Sequence, residues 1–224
     1  MSATIYISGG GKGGVGKTMV SLALVDWLVN SDDKNKVTIV ETDNSNAEVY
    51  KAYENDTGIK KQLINMDAQV GWIALMNLMP EWAESNEQVV INTAARATEA
   101  IEQNLNDLLL GAKQLGIAVK LLWTINRQRD SLNLINGVLK KCTVDTTIVK
   151  NLYFGSPDKF VLFDKSELAK KVATINLPDL NDEVADKIYI DRLALSQVDQ
   201  FKFGEKMALQ RFKTDAAEQF KKIK

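Results

Sequence analysis

Eight residues near the start of the chain, Gly11-Lys12-Gly13-Gly14-Val15-Gly16-Lys17-Thr18, have the types and the spacing of a phosphate-binding loop. Glycines at these positions let successive backbone N–H groups turn toward phosphate oxygens, and a helix that follows would point the positive end of its dipole at the same place. Lys17 would reach the β- and γ-phosphates, and the Thr18 hydroxyl would ligate Mg²⁺. The loop lies between a short apolar strand and a helix-like run, Met19–Val29. It therefore predicts nucleotide binding.

A second lysine, Lys12, distinguishes this loop from an ordinary one. The run Lys12–Thr18 resembles the deviant Walker A motif, K-G-G-x-G-K-[ST], of the ParA/MinD family of P-loop ATPases, closest in type to the small plasmid partition proteins. The resemblance implies an ATP-sandwich homodimer in which each signature lysine contacts the nucleotide held by the partner. A cation delivered in trans stabilises the transferring phosphoryl group only when the dimer has formed. The alternative is that Lys12 is a solvated loop charge.

Length and composition agree with one sizeable α/β domain, a single P-loop ATPase domain over residues 1–224. The net charge of −1 gives no global basic field, so contact with DNA would need a local patch. Cys142 is the only cysteine, which argues against iron–sulfur and metalloid-binding relatives because these need several. With no signal peptide or apolar run of transmembrane length, we expect a cytoplasmic protein, associated with the nucleoid if it binds DNA.

Strand and helix signals alternate along the chain, which is the pattern of a mostly parallel sheet with helices on both faces. The predicted strands are Thr4–Ser8, Val37–Val40, Val89–Ile91, Val119–Ile125, Thr146–Val149 and Thr174–Leu177. The predicted helices are Lys17–Asn30, Glu48–Met66, Val70–Leu78, Thr98–Leu115 and Ser131–Lys140. Ligands in open sheets of this type bind beyond the carboxyl ends of the strands, so the residues that follow each strand are the candidates for a site.

The second predicted strand is followed by Glu41-Thr42-Asp43. In the ParA/MinD family this place usually reads D-x-D-P, so Asp43 matches the second acid and Glu41 replaces the first. The resemblance implies that Asp43 lies in the switch I region and positions the attacking water. Glu41 could reach the hydration shell of Mg²⁺. A carboxylate near the γ-phosphate can orient water, although most catalysis of phosphoryl transfer comes from positioning and charge. The alternative is that Asp43 and Asn44 cap a helix.

The third predicted strand ends in a segment that resembles the family's Walker B motif, with Asn92 where the family has an acid. An amide oxygen can accept a hydrogen bond from a magnesium-bound water but brings no charge to the cation. We therefore predict slow hydrolysis or weakly held Mg²⁺, with Asp43 and Glu41 supplying part of the missing charge. Arg96, just downstream, is either a switch II contact or a surface charge.

Two segments resemble the family's adenine site. Asn151 follows the fifth predicted strand, where the family has an asparagine that reads the adenine edge, and its amide offers both a donor and an acceptor. Asn126 is the other candidate, and a turn-forming role is the alternative for either residue. Pro178 belongs to an apolar-proline segment that would flank the base. The acidic stretch Asp179–Asp186 is either an adaptor surface or an ordinary loop, and we favour the loop.

A basic amphipathic helix is predicted at the C-terminus, from about residue 199 to 224. Its apolar positions recur at helical spacing: Leu209, Phe212, Ala216, Phe220 and Ile223. Three uses are open. The helix could pack on the domain with its cations in solvent, or its lysines could bind DNA non-specifically. Membrane association, as in MinD, is the least favoured use because the apolar face is modest.

Together these patterns predict a ParA-like ATPase that dimerises on ATP-Mg, binds non-specific DNA and segregates a plasmid or similar cargo. The catalytic residues would be Lys12, Lys17 and Asp43, and the residues near the metal would be Thr18, Glu41, Asp43 and Asn92. Because the first strand begins at Thr4, no helix-turn-helix extension is expected before it, and a ParB-like or other adaptor protein would provide specificity. The alternative is a MinD-like nucleotide-gated scaffold for a membrane, secretion or conjugation assembly, without DNA binding.

Overall fold

Seven strands of the described chain form one parallel sheet. The computed structural model describes residues 2–31, 35–95 and 97–223. The strands are β1 (Thr4–Gly10), β2 (Val37–Glu41), β3 (Lys60–Leu63), β4 (Gln88–Asn92), β5 (Ala118–Ile125), β6 (Asp145–Asn151) and β7 (Ala173–Leu177). Their order across the sheet is β3-β2-β4-β1-β5-β6-β7. The fold class predicted from the sequence is confirmed, and every pairing in the sheet is parallel.

Helices cover both faces of this sheet, which is why β1, β2 and β4 are buried along their whole length and β5 and β6 over most of theirs. They are α1 (Lys17–Asn30), α2 (Glu48–Ala52), α3 (Gln69–Ser85), α4 (Thr98–Leu115), α5 (Arg129–Lys141), α6 (Val161–Asp164), α7 (Asp182–Asp191) and α8 (Phe203–Phe220). Short 3₁₀ turns lie at Leu152–Phe154, Pro157–Lys159, Leu168–Lys170, Val198–Gln200 and Lys221–Ile223. One hydrophobic core contains α1, α2, α7 and α8, and the other contains α3 to α6.

The predicted helix Glu48–Met66 is wrong over most of its length. Helix α2 ends at Ala52, and strand β3 follows at the edge of the sheet, paired with β2. The Asp56 carboxylate accepts a hydrogen bond of 2.8 Å from the Gly58 N–H, which closes a turn that helical periodicity does not reveal. Strand β3 itself is polar and mostly exposed, so it carries little strand signal.

Two further elements differ from their predicted form. Helix α3 continues through Pro80 to Ser85, because Met79 and Trp82 are buried and hold the last turns on the core. The acidic stretch predicted as a loop contains the first turns of α7. The Asn181 side chain accepts a hydrogen bond from the Val184 N–H and so caps that helix, and Val184 is itself buried.

The C-terminal helix α8 is present, and its apolar face packs on the domain. Leu209, Phe212 and Phe220 are buried, and the Phe220 ring lies 5.6 Å from the Trp27 ring of α1. This is the first of the three uses left open by the sequence. Because that face is covered by the domain, it is not available to a lipid surface. In the described residues, no helix is both long enough and apolar enough to span a membrane.

Candidate nucleotide-binding site

A cleft of about 690 Å³ opens at the carboxyl edge of the sheet. This volume lies in the range of small-molecule sites. The phosphate-binding loop forms one end of the cleft, and α7 forms the other. Its walls come from the loops after β1, β2, β4, β6 and β7, and they include Gly13, Gly14, Gly16, Lys17, Thr18, Asp43, Asn92, Asn151, Pro178, Asp179, Tyr189 and Phe212. Most of the predicted site residues therefore line this one cleft, whereas Gly11, Lys12, Val15 and Glu41 do not.

The loop holds its shape because glycine is required at particular positions. Gly14 and Gly16 have positive φ angles of 76° and 101°. A Cβ at Gly16 would also overlap the side-chain nitrogen of Asn151, and one at Gly11 would come within 2.7 Å of Leu134 in α5. No acidic residue occupies the first turn of α1, so the helix itself adds no negative charge at the end where an anion would bind.

Lys17 is buried at the phosphate end of the cleft. Its Nζ donates a 3.3 Å hydrogen bond to the Lys12 carbonyl oxygen, which holds the ammonium against the loop. Burial lowers the pKa of Lys17, and the nearby charges of Asp43 and Glu41 oppose that shift. The Lys17 ammonium group therefore has few protein partners and faces the position where phosphate oxygens would lie.

Lys12 lies outside this cleft. Its side chain is 49% exposed and forms an ion pair with Asp130, at the start of α5. It borders a second cleft of about 600 Å³, together with Glu99 and Glu102 of α4. The Lys12 side chain is thus exposed on the surface, beside the nucleotide cleft of the same chain. A trans role for Lys12 stays a prediction, and this exposed position is compatible with it.

Asp43 organises the loop between β2 and α2. Its Oδ1 accepts hydrogen bonds from the Ser45 N–H at 3.1 Å, the Ser45 hydroxyl at 2.6 Å and the Asn46 N–H at 3.0 Å. The Ser45 hydroxyl is the main reason why the pKa of Asp43 is lowered. Asp43 therefore caps a turn that precedes α2, which begins at Glu48. It also lines the cleft, where it could act on water as predicted.

Glu41 lies beneath the floor of the cleft, although the sequence placed it near the metal. Its carboxylate is fully buried and accepts hydrogen bonds from the Thr42, Asp43 and Val49 N–H groups and from the Asn92 amide. Burial raises the pKa of Glu41 to about 7, and these hydrogen bonds oppose the rise. The carboxylate is held by these donors and does not line the cleft, so direct contact with the magnesium hydration shell is not supported. Asn92 does line it.

The two candidate asparagines have different positions. Asn126 lies off the cleft, where its Oδ1 accepts hydrogen bonds from Gln128 N–H and the Ser131 hydroxyl, so it forms a turn. Asn151 lines the cleft, as favoured. Its Nδ2 donates a 2.9 Å hydrogen bond to the Val15 carbonyl, and its Oδ1 accepts one from the Tyr153 N–H. Asn151 therefore fixes the phosphate-binding loop, and reading of adenine by its remaining donor and acceptor stays a prediction.

The end of the cleft away from the phosphate loop is acidic and aromatic. Burial raises the pKa of Asp179, and the charge of Asp182 adds to the rise. Burial, with a smaller effect from Glu48, raises the pKa of Tyr189 to about 12. The sequence does not reveal this wall, because the polar, acidic stretch Asp179–Asp186 favours a loop. The apolar spacing of Val184 and Ile188 was the available signal for α7.

At the phosphate end of the cleft, Thr18, Asp43 and Asn92 carry oxygen atoms that fit magnesium, which prefers hard oxygen ligands. In the three described ranges, no group of three or more His, Cys, Asp or Glu residues could hold a metal ion. A magnesium ion here would therefore depend on nucleotide phosphates and water for most of its coordination. Arg96, the other predicted switch residue, lies outside the described residues.

Comparison with known proteins identifies the family to which this chain belongs. No protein-family model matches the chain. Protein MobD of Acidithiobacillus ferrooxidans is 37% identical over 226 residues, a match that covers 96% of each chain. The chain belongs to the MobD family. In its fold, this MobD family member is similar to P-loop ATPases of the ParA/MinD type, so the resemblance based on Lys12–Thr18 is confirmed.

Three solved structures illustrate the likeness of this MobD family member. A plasmid partition protein of Borrelia burgdorferi bound to AMPPNP has a TM-score of 0.67 at 15% identity, over 100% of both chains. A ParA family ATPase of Chlorobium tepidum has a TM-score of 0.59 at 10% identity, over 97% of both. MinD of Aquifex aeolicus has a TM-score of 0.58 at 15% identity, over 99% of this chain and 98% of that one. At these identities the likeness establishes the fold alone.

Proposed function

We propose that this MobD family member is an ATPase that dimerises on ATP and positions a DNA cargo. The observation that carries the proposal is the different placement of two lysines of one loop. Lys17 is buried in the cleft beside Thr18, whereas Lys12 is displayed on the surface outside it. One lysine can bind the phosphates of its own nucleotide, and the other is exposed where a second subunit could approach it.

Within one subunit, Lys17 would contact the β- and γ-phosphates, and Thr18 with Asn92 would hold the magnesium shell. Asp43 would orient the attacking water, and the base would lie toward Pro178 and α7. The metal supplies positive charge that offsets the charge developing on the phosphoryl group. Because Asn92 is neutral, the site provides less charge than an aspartate would, and we expect slow turnover.

Dimerisation would require Lys12 to leave Asp130 for the nucleotide of the partner. Both side chains are about half exposed. An exposed ion pair of this kind contributes only about 0–1 kcal/mol, so its loss costs little. A phosphate in a closed interface is a stronger partner for the ammonium, because water is excluded there. The dimer would thus form when ATP is bound on both sides.

The cations available for DNA are fewer than the sequence suggests. Among the basic residues of the described C-terminal segment, Lys206 pairs with Asp199, Lys213 with Asp26 and Lys221 with Glu218. Lys202, Arg211 and Lys222 are exposed, and dimerisation would double their number. Specificity would come from a ParB-like or other adaptor. The paired lysines favour, as a second candidate, a nucleotide-gated scaffold that binds no DNA.

DNA binding separates the two candidates. We expect the protein to bind non-specific duplex DNA with ATP, more weakly with ADP and least without nucleotide, with affinity that falls as salt rises. Lys12→Ala should abolish the advantage of ATP over ADP and leave one-site nucleotide binding intact. The measurement is fluorescence anisotropy of labelled DNA over a salt series. Absence of binding with every nucleotide would refute the DNA cargo and leave the scaffold.

Removal of the Asn151 side chain tests its contact with the loop. Asn151→Ala should weaken both ATP and inorganic tripolyphosphate binding about tenfold, because a lost buried hydrogen bond frees the Val15 carbonyl and loosens the loop. Any additional loss for ATP measures a contact with the base. Calorimetric titration of both ligands gives the two values, and Asn126→Ala is the control. Unchanged tripolyphosphate binding would show that Asn151 does not position the loop.

A further inference from the structure

The buried Glu41 has a direct partner in the Asn92 side chain. Strands β2 and β4 are neighbours, and these two residues are opposite each other in the register. Asn92 Nδ2 donates to both carboxylate oxygens of Glu41, at 3.0 and 3.1 Å. On its other side, Asn92 Oδ1 accepts a 2.9 Å hydrogen bond from the Ser21 hydroxyl. The amide is therefore held at both ends.

The carboxylate decides which way the amide faces. An asparagine side chain can present its oxygen or its NH₂ group in nearly the same shape. A carboxylate accepts hydrogen bonds and donates none, so the NH₂ group of Asn92 must point at Glu41. The oxygen then points toward α1, where Ser21 lies one helical turn after Thr18. The opposite orientation would aim two N–H donors toward the place proposed for a cation.

Glu41 is itself fixed by the backbone around it. Its Oε1 accepts from the Thr42 N–H at 3.1 Å and the Asp43 N–H at 3.3 Å, and its Oε2 accepts from the Val49 N–H at 3.3 Å. The Thr42 hydroxyl accepts a 2.9 Å hydrogen bond from the Ala94 N–H. The loops after β2 and β4 are thus joined, with the carboxylate between them. Such a group has little freedom to leave Asn92.

From these contacts we propose that Glu41 is a positioning residue for Asn92. It turns the amide so that the oxygen faces the cation side of the cleft, and an asparagine thereby acts as an acceptor at the position where the resemblance to the ParA/MinD family implies an acid. The negative charge of the pair resides on β2. This inference rests on the proposed binding of magnesium nucleotide. It explains how the neutral Asn92 side chain can present an acceptor oxygen to the hydrated magnesium ion.

A double-mutant cycle tests the pair, with ADP as the probe in one buffer above neutral pH. The variants are Glu41→Gln, Asn92→Asp and the double variant, and Glu84→Gln removes an exposed acid of α3, outside the cleft, as a control. Asn92→Asp places two buried carboxylates in contact and should lower the melting temperature of the nucleotide-free protein. The double variant should recover most of that loss, because the glutamine amide introduced on β2 can donate to the aspartate introduced on β4 in a mirrored pair.

The second measurement is the ratio of ADP affinities with Mg²⁺ and with EDTA. Glu41→Gln should reduce this ratio about tenfold, because the Asn92 oxygen is no longer held toward the cation. The double variant should restore the ratio to at least the wild-type value. ADP affinity in EDTA should stay the same in every folded variant. Glu84→Gln should change neither measurement.

Three results would overturn the proposal: a Glu41→Gln protein that keeps the full magnesium effect, single losses that simply add in the double variant, or a double variant that does not fold. If the single variants do not fold, the double variant alone decides. Absence of ADP binding by the wild type would refute the proposed function and the magnesium part of this inference. The melting temperatures would still show separately whether the pair is coupled.

Discussion

Lys17→Met is expected to raise the dissociation constant for ATP or ADP by about a hundredfold or more, since it removes charge-assisted hydrogen bonds to two phosphate groups. The fold should be unaffected. The Lys17 ammonium is buried, and its one short-range partner in the described structure is a backbone carbonyl. Methionine fills similar volume without a charge to desolvate, so the melting temperature should be equal or slightly higher. Calorimetric titration and thermal unfolding measure the two effects.

Lys12→Met provides the matched control for that prediction. It makes the same chemical change in the same loop, but on a side chain that is exposed and lies outside the cleft. Nucleotide affinity of the single subunit should change less than about threefold, because the lost ion pair is a surface pair. ATP-dependent dimerisation and hydrolysis should be lost. Equal effects of the two substitutions on nucleotide affinity would contradict the separate roles assigned to the lysines.

The phosphate-binding loop could be predicted from sequence because its information is local. Gly14 and Gly16 adopt positive φ angles within the motif itself, and the strand before it and the helix after it follow from short apolar runs. The same is true of α4 and α8, whose apolar spacing matches their buried faces. In each case a few consecutive residues specify both the conformation and the buried side.

Contacts between distant parts of the chain could not be predicted in this way. Asn151 resembles a base-reading residue, yet its amide is bonded to the Val15 carbonyl, far away in sequence. Glu41 looks like a metal-shell acid, but the register of β2 with β4 places it against Asn92 under the cleft. Strand β3 was missed because pairing with β2 overrides its weak local preference. Each of these outcomes depends on which strands become neighbours.

The C-terminal helix shows the same limit, because its lysines cannot be separated into structural and free ones from spacing alone. Lys213 reaches into the domain, where its Nζ lies 2.9 Å from Asp26 of α1 and donates to the Leu195 carbonyl at 3.2 Å. Both members of the ion pair are largely buried. Lys222 is exposed, and its Nζ donates to Gln219 on the same helical segment. The two lysines should therefore respond differently to the same substitution.

Lys213→Met is expected to lower the free energy of unfolding by about 3–5 kcal/mol, because it leaves the buried Asp26 carboxylate without its cation. Lys222→Met should change it by less than about 0.5 kcal/mol. Urea unfolding followed by circular dichroism measures both, and Asp26→Asn combined with Lys213→Met should recover most of the loss because no unpaired charge then remains. Equal stability of the two single variants would mean that α8 is not anchored through this pair. If the C-terminal segment binds DNA, the two substitutions should have the opposite order of effects on DNA affinity. Lys222→Met would weaken DNA binding while the fold stays intact. Lys213 anchors the helix to Asp26, so it cannot also neutralise a phosphate.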